Sequence, residues 1–211
     1  MSIDGKKKKK AGRKPPMPPK MKERLYPAVL DLFSRHDFHQ VNLREIYRTS
    51  GLSPSTIYKY FHSKEDLLFT ILDEKISEIG VLAAMHVKGI ESSKEIFRKV
   101  FWVTLDYYDH NPGVAIAAFI TVPMRSWMRE KTYIRKDAST FFADIYEYAR
   151  QRGEVDPSIS RKTCMDLYFM FCYRQIHIWY FKGMKWKLVD ALPDFYPVFW
   201  KTISSDSSVK S

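Results

Sequence analysis

Residues 42–64, NLREIYRTSGLSPSTIYKYFHSK, read as two short helices about a tight turn, with a third helix opening at their end. Asn42 is placed to cap the first helix, and Glu45, three residues on, is placed to reach back to it as a capping box. Leu43, Ile46 and Tyr47 fall at i, i+3 and i+4 and give that helix one apolar face. Gly51 follows as the residue that takes positive φ at a helix end. Ser53 then stands at a second N-cap with Pro54 at the first helical position. Ile57, Tyr60 and Phe61 form the inward stripe of the second helix, which leaves Ser55, Thr56, Tyr58 and Lys59 outward. Ser63 and Asp66 open the third helix in the same way.

A helix this short buries little surface, and its outward face is small, hydroxylated and basic. Such a face suits a DNA major groove, with hydroxyls and an ammonium on phosphates and Tyr58 at base edges. The plainer alternative is a helical hairpin inside an all-α core, and the turn geometry alone would favour it. The basic segment upstream and the residue types on the outward face favour DNA.

The same residues carry a family resemblance. From about residue 22 to 71 the chain resembles the DNA-binding headpiece of the tetracycline-repressor (TetR) family of transcriptional regulators. The likeness lies in Leu32 and Phe33, Phe38, Leu43, Ile46, the run Gly51, Leu52, Ser53, then Thr56 to Phe61, Ser63 to Glu65, and Leu67. An IYKYF core followed by SKEDLL is a specific combination, whereas a helix-turn-helix alone is common. The resemblance implies that Ser55 and Tyr58 touch bases. It implies phosphate contacts for Ser53, Thr56, Lys59, Tyr60 and Lys64, and for the backbone amide near Asn42. Three positions depart from the family pattern: Asp37 where a glycine usually turns, Tyr47 in place of a small residue, and Pro27 inside the first helix.

Outward from this stretch, the 211 residues are enough for one medium helical domain and a small one. The net charge of +11 favours a polyanionic partner. It is concentrated at the front: residues 1–24 hold ten Lys or Arg against two acidic residues, a net of +8. Residues 1–20, with five consecutive lysines and then prolines, read as a disordered basic arm. That arm either follows phosphates or a minor groove, or is a solubilising tail. No apolar run follows the basic residues, so no signal peptide is expected. The longest apolar run, 114–122, is well short of the ~18 residues a membrane span needs. A soluble, cytoplasmic protein is expected. Cys164 and Cys172 on one helix would stand ~12 Å apart, beyond the ~7 Å reach of a disulfide. No cofactor or metal is expected.

The expected organisation is all-α: a three-helix helix-turn-helix DNA-binding domain at 21–66, a helical effector-binding and dimerisation domain at 67–204, and a disordered tail at 205–211. The first helix covers about 22–36, with Leu25, Val29, Leu32 and Phe33 as its stripe and Pro27 tolerable if the helix begins near Arg24. The helix from Ser63 to about Ala84 is the continuous link between the two parts, and so a lever between them. Later helices are expected at 93–110, from 112 to a break at Pro123, at 124–129, 133–150 and 158–182, and from 188 or 191 to 203. Ser93 is the expected cap of the first of these.

Two features of this second part call for explanation. The 158–182 segment is apolar nearly all round, so every face must be covered. A partner subunit is the economical cover, giving an isologous four-helix bundle with the last helix. Met165, Phe169, Ile176, Trp179, Phe195 and Phe199 are the candidate dimer contacts. An aromatic load in the middle helices offers walls for an apolar or aromatic ligand: Trp102, Tyr107, Phe119, Met124, Trp127, Tyr133, Phe141 and Tyr168. Packed core is the plainer reading of each, and the case for a cavity rests on the effector the resemblance implies. Arg125 and Arg129 flank Trp127 as candidate partners for an anionic head group.

The expected function is a homodimeric, sequence-specific transcriptional regulator. It acts as a repressor on a palindromic operator and is released by a small apolar or aromatic effector. The alternative is a ligand-independent architectural DNA binder. An enzyme is disfavoured, because no GxSxG, HExxH, P-loop or dinucleotide fingerprint occurs.

Overall fold

The computed structural model describes residues 16–129 and 136–205. Most of the basic arm, the candidate pocket residue Tyr133, the side chain of Arg129 and residues 206–211 lie outside the described residues. Among the described residues the architecture is all-α, with one isolated bridge between Val155 and Ser204. The helices are α1 Pro19–Arg35, α2 Leu43–Ser50, α3 Pro54–Tyr60, α4 Lys64–His86, α5 Ser93–His110, α6 Pro112–Ile116, α7 Met124–Arg129, α8 Lys136–Gln151, α9 Arg161–Phe181 and α10 Leu192–Ile203. No described helix is long and apolar enough to cross a membrane.

Structured residues extend further than expected towards both ends of the chain. Met17, assigned to the arm, is buried in the core, and α1 starts with Pro19 at its first position. Pro27 therefore lies well inside α1 rather than in its first turn. At the other end Ser205 donates its N–H to Glu154 O at 3.1 Å and its hydroxyl to Gly153 O at 2.6 Å. Asp37 turns the chain without positive φ. Its carbonyl accepts from Gln40 N at 2.9 Å, and its N–H donates to Gln40 Oε1 at 3.2 Å.

In the head, Leu25, Val29 and Phe33 of α1 meet Ile46 of α2, Ile57 of α3 and Leu67 of α4, all buried. In the body, α5 is the central post. Its Phe101 is fully buried, with ring centroids 4.9 Å from Tyr168, 5.2 Å from Phe195 and 4.7 Å from Phe199. Ser92, one residue before the expected cap, accepts from Glu95 N at 3.4 Å, while Ser93 is buried with its N–H on Glu154 Oε2. Asp109 at the far end of α5 accepts from the amides of Leu188 and Val189 and so starts the 3-10 turn Leu188–Ala191 that leads into α10.

α6 does not run straight to Pro123. It widens into a π-helical turn over Ala117–Thr121, with Val122 N donating to Ala117 O at 3.2 Å. Such a turn frees backbone groups that need other partners. The indole of Trp127 donates to Ala118 O at 3.1 Å, and Thr121 Oγ1 donates to Phe33 O of α1 at 2.7 Å. Gly113 in α6 stands where a Cβ would already touch Leu30 of α1 at 3.4 Å. Head and body are thus packed through α1 against α6 and the π turn, as well as joined by α4. One contiguous apolar core spans both.

Candidate nucleic-acid interface and effector chamber

In the reading head, α2, α3 and α4 each start from a side-chain cap. Asn42 accepts from Glu45 N at 3.0 Å, and Glu45 accepts from Asn42 N at 3.3 Å. Gly51 closes α2 at φ +64°, with the Arg24 guanidinium donating to the carbonyls of Ser50 and Gly51. The positive φ is what calls for glycine here; a Cβ at 2.8 Å from Arg24 Nη2 would in addition displace the guanidinium tip. Ser53 caps α3 by accepting from Thr56 N at 3.2 Å, and its hydroxyl also meets those of Ser55 at 2.9 Å and Thr56 at 2.8 Å.

The outward face holds Ser53, Ser55, Tyr58 and Lys59, all exposed, with Tyr58 at 51%. Thr56 and Tyr60 are half-buried at its edge, and the Lys59 ammonium lies 5.6 Å from the Tyr60 ring centre. Arg44 and Arg48, one turn apart on α2, are also exposed and were not singled out in the sequence. Their signal was there: both stand off the Leu43–Ile46–Tyr47 stripe.

Two expected phosphate contacts have other employment. Lys64 donates to Phe38 O at 2.7 Å and Val41 O at 2.8 Å, and lies 4.9 Å from the Phe38 ring centre. It fastens the start of α4 to the turn between α1 and α2. The Asn42 amide is taken by Glu45, which leaves the next first-turn amides of α2 as the free donors.

Tyr47, the departure from the family pattern, supports Tyr58: the ring centroids are 6.1 Å apart, edge to face. Burial, with the Tyr58 hydroxyl beside it, pushes the Tyr47 phenol up to about 12. An unfolded tyrosine ionises near pH ~10. The associated stability is therefore complete below that pH and drains away as pH rises from about 10 towards 12. Tyr47→Phe has no such loss. Urea midpoints at pH 9 and 11 should show wild type falling further than the variant; parallel falls would contradict the shift.

In the body, α4, α5, α8 and α9 enclose an apolar chamber of about 180 Å³. Ile76, Ile79, Gly80 and Ala83 of α4 form one wall, facing Thr104, Tyr108, Phe119, Tyr168 and Cys172. Its polar contribution is a hydroxyl pair, Thr104 and Tyr168, 2.6 Å apart. Burial pushes the Cys172 thiol well above its ordinary range, which keeps it an unreactive neutral wall. Of the expected pocket residues, Phe119, Phe141 and Tyr168 line this chamber. Met124 and Trp127 line an open groove of about 750 Å³ on its outer side, with Phe119 and Phe169 shared between the two spaces. Trp102 and Tyr107 line neither. Trp102 borders a separate cleft beside Trp179 and Trp186, and the Tyr107 hydroxyl donates to Glu78 of α4 at 2.7 Å. The α4 wall was not anticipated, since nothing in the side chains of Ile76, Ile79 and Ala83 distinguishes a chamber wall from packed core.

The expected dimer contacts need correction. Ile176, Trp179, Phe195 and Phe199 are buried within the subunit, because α10 crosses α9 and seals against α5 in the same chain. Met165 and Phe169 are half-buried and line the chamber. The apolar surface left outward on these two helices is Met170, Tyr173, Tyr180, Phe181 and Val198, with Phe181 90% exposed. His177 stays within that stripe, half-buried, its ring nitrogen 2.8 Å from Tyr173 O.

Residues 27–71 match the family described as "Bacterial regulatory proteins, tetR family". The fatty acid metabolism regulator protein of Bacillus subtilis (strain 168) is 22% identical over 166 residues, covering 77% of this chain and 84% of that one. The fold is shared with the fatty acid degradation regulator FadR from Bacillus halodurans, at a TM-score of 0.78 and 16% identity over 88% of this chain and 97% of the other. It is shared also with the transcriptional regulator FadR from Bacillus subtilis in complex with stearoyl-CoA, at a TM-score of 0.75 and 18% identity over 84% and 96%. With the capped reading head, these matches make the chain a DNA-binding transcriptional regulator of the helix-turn-helix class. Its head, residues 27–71, matches the DNA-binding region of the TetR family.

Proposed function

We propose that the chain acts as a homodimeric repressor that binds a palindromic operator and leaves it when an apolar-bodied effector fills the chamber. The observation that carries this reading is the position of α4, whose first residue is pinned to the reading head and whose middle forms a chamber wall. An effector that presses on Ile76, Ile79 and Ala83 moves the helix that carries Lys64. The Lys22–Glu74 pair at 2.7 Å ties α1 to the same helix, so the head follows it as a unit. A second path runs from Phe119 on the π turn through Thr121 to Phe33 O. Release requires the effector to favour the unbound form, by ~1–3 kcal/mol of coupling in typical cases.

On DNA, Ser55 and Tyr58 read base edges. Ser53, Thr56, Lys59, Tyr60 and the first-turn amides of α2 beside Asn42 hold phosphates. Lys64 is left out of this set because its donors serve the fold. The relative solved with stearoyl-CoA supports an effector with an apolar tail and a polar head, and Arg125, exposed beside Met124 and Trp127, suits an anionic head.

The test is selection of binding sites from random duplex DNA, followed by gel shifts. Tyr58→Ala should lower the preference for the selected site over random DNA by about 1 kcal/mol or more. Lys59→Ala should weaken both alike and reduce the salt slope by about one unit. A folded dimer that selects no sequence, or that binds all duplexes equally, would favour the architectural alternative instead.

A further inference from the structure

We propose, resting on the reading that the chamber receives the effector, that the chamber fixes the effector's tail length. It takes a saturated hydrocarbon tail of about six to eight carbons, admitted between Phe119 and Phe169, while the polar head stays in the groove outside.

Volume sets the length. The chamber holds about 180 Å³. A dry apolar cavity of about 150 Å³ accommodates benzene, six carbons, so this one is filled by a tail only slightly larger. An octadecanoyl chain such as that of the related regulator's ligand cannot be contained in it.

The hydroxyl pair sets the chemistry. Thr104 Oγ1 donates to Val100 O at 2.8 Å, one turn back in α5. With that hydrogen committed, the 2.6 Å contact requires Tyr168 to donate to Thr104. Neither hydroxyl of this pair keeps a hydrogen for a carbonyl or carboxylate beside it, and a buried oxygen without a donor is disfavoured. The part that enters is therefore hydrocarbon to its end.

The entrance follows from the shared walls. Phe119 and Phe169, both half-buried, border the chamber on one side and the groove with Trp127 on the other. The Phe119 ring stands edge-on to Tyr108 at 5.4 Å and to Tyr173 at 5.9 Å. Swinging the two rings apart joins the spaces.

The experiment is calorimetric titration of the full-length protein with straight-chain CoA thioesters and free fatty acids from four to eighteen carbons. Affinity is expected to rise about fourfold per methylene to roughly eight carbons and then level or fall. Phe169→Ala should move the optimum to longer chains; Phe169→Leu, a milder change, should move it the same way by less. Tightest wild-type binding at sixteen to eighteen carbons, or an optimum unmoved by either folded variant, would overturn the tail-length proposal and leave the effector reading standing. Absence of binding at every length, in both series, would overturn both.

Discussion

Phe101→Ala is expected to lower folding stability by about 3–5 kcal/mol, the range for truncating a fully buried phenylalanine. The side chain has no solvent exposure, and it meets α9 through Tyr168 and α10 through Phe195, Tyr196 and Phe199. Collapse of neighbouring rings into the gap is limited, because each is held elsewhere: Tyr168 by Thr104, and Tyr196 by its hydroxyl bond to Lys94 O. Chemical denaturation followed by circular dichroism measures the loss. A cost near 1 kcal/mol would mean that the aromatic cluster closes over the space, contrary to the packing described.

The second large effect is expected at Phe181. In a twofold interface the same residue occurs on both sides, so Phe181→Asp would place two carboxylates in one apolar contact. Burying an unpaired charge costs several kcal/mol, and loss of about 2–5 kcal/mol would dissociate most dimers at micromolar concentration. Sedimentation should give a folded monomer, with operator affinity falling because each reading head then binds alone. Val198→Asp should act in the same direction, since Val198 is the large apolar residue that α10 leaves exposed. A folded Phe181→Asp protein that remains dimeric would place the interface on another face.

The head was legible from its sequence because its determinants are local. A capping box at Asn42, serine caps, a glycine at positive φ and a proline at the first helical position all act within four residues and appear where the spacing put them, except that Asp66 reaches back to the amide of His62 rather than to that of Ser63. The body was legible only as a set of helices. Whether Trp179 faces a partner or its own subunit depends on where α10 lies, and periodicity says nothing of that for a helix apolar on all sides. The π turn was unreadable for a related reason. Nothing in AAFIT marks it, since the carbonyl of Ala118 finds its donor in the distant indole of Trp127 and the Thr121 hydroxyl finds its acceptor in Phe33 O of α1. The chamber wall from α4 was hidden because a residue beside a void and a residue beside another residue carry the same apolar signature.

The unbroken apolar interior shared by head and body bears on how the chain comes apart. A fragment cut after residue 66 would lose Leu67, Leu68, Ile71 and Leu72, the side chains that roof the head, together with the α6 contact behind Leu30. The reading helices are therefore not a transplantable cassette. They stand only while the helical body stands, so heating should dismantle head and body in a single cooperative step.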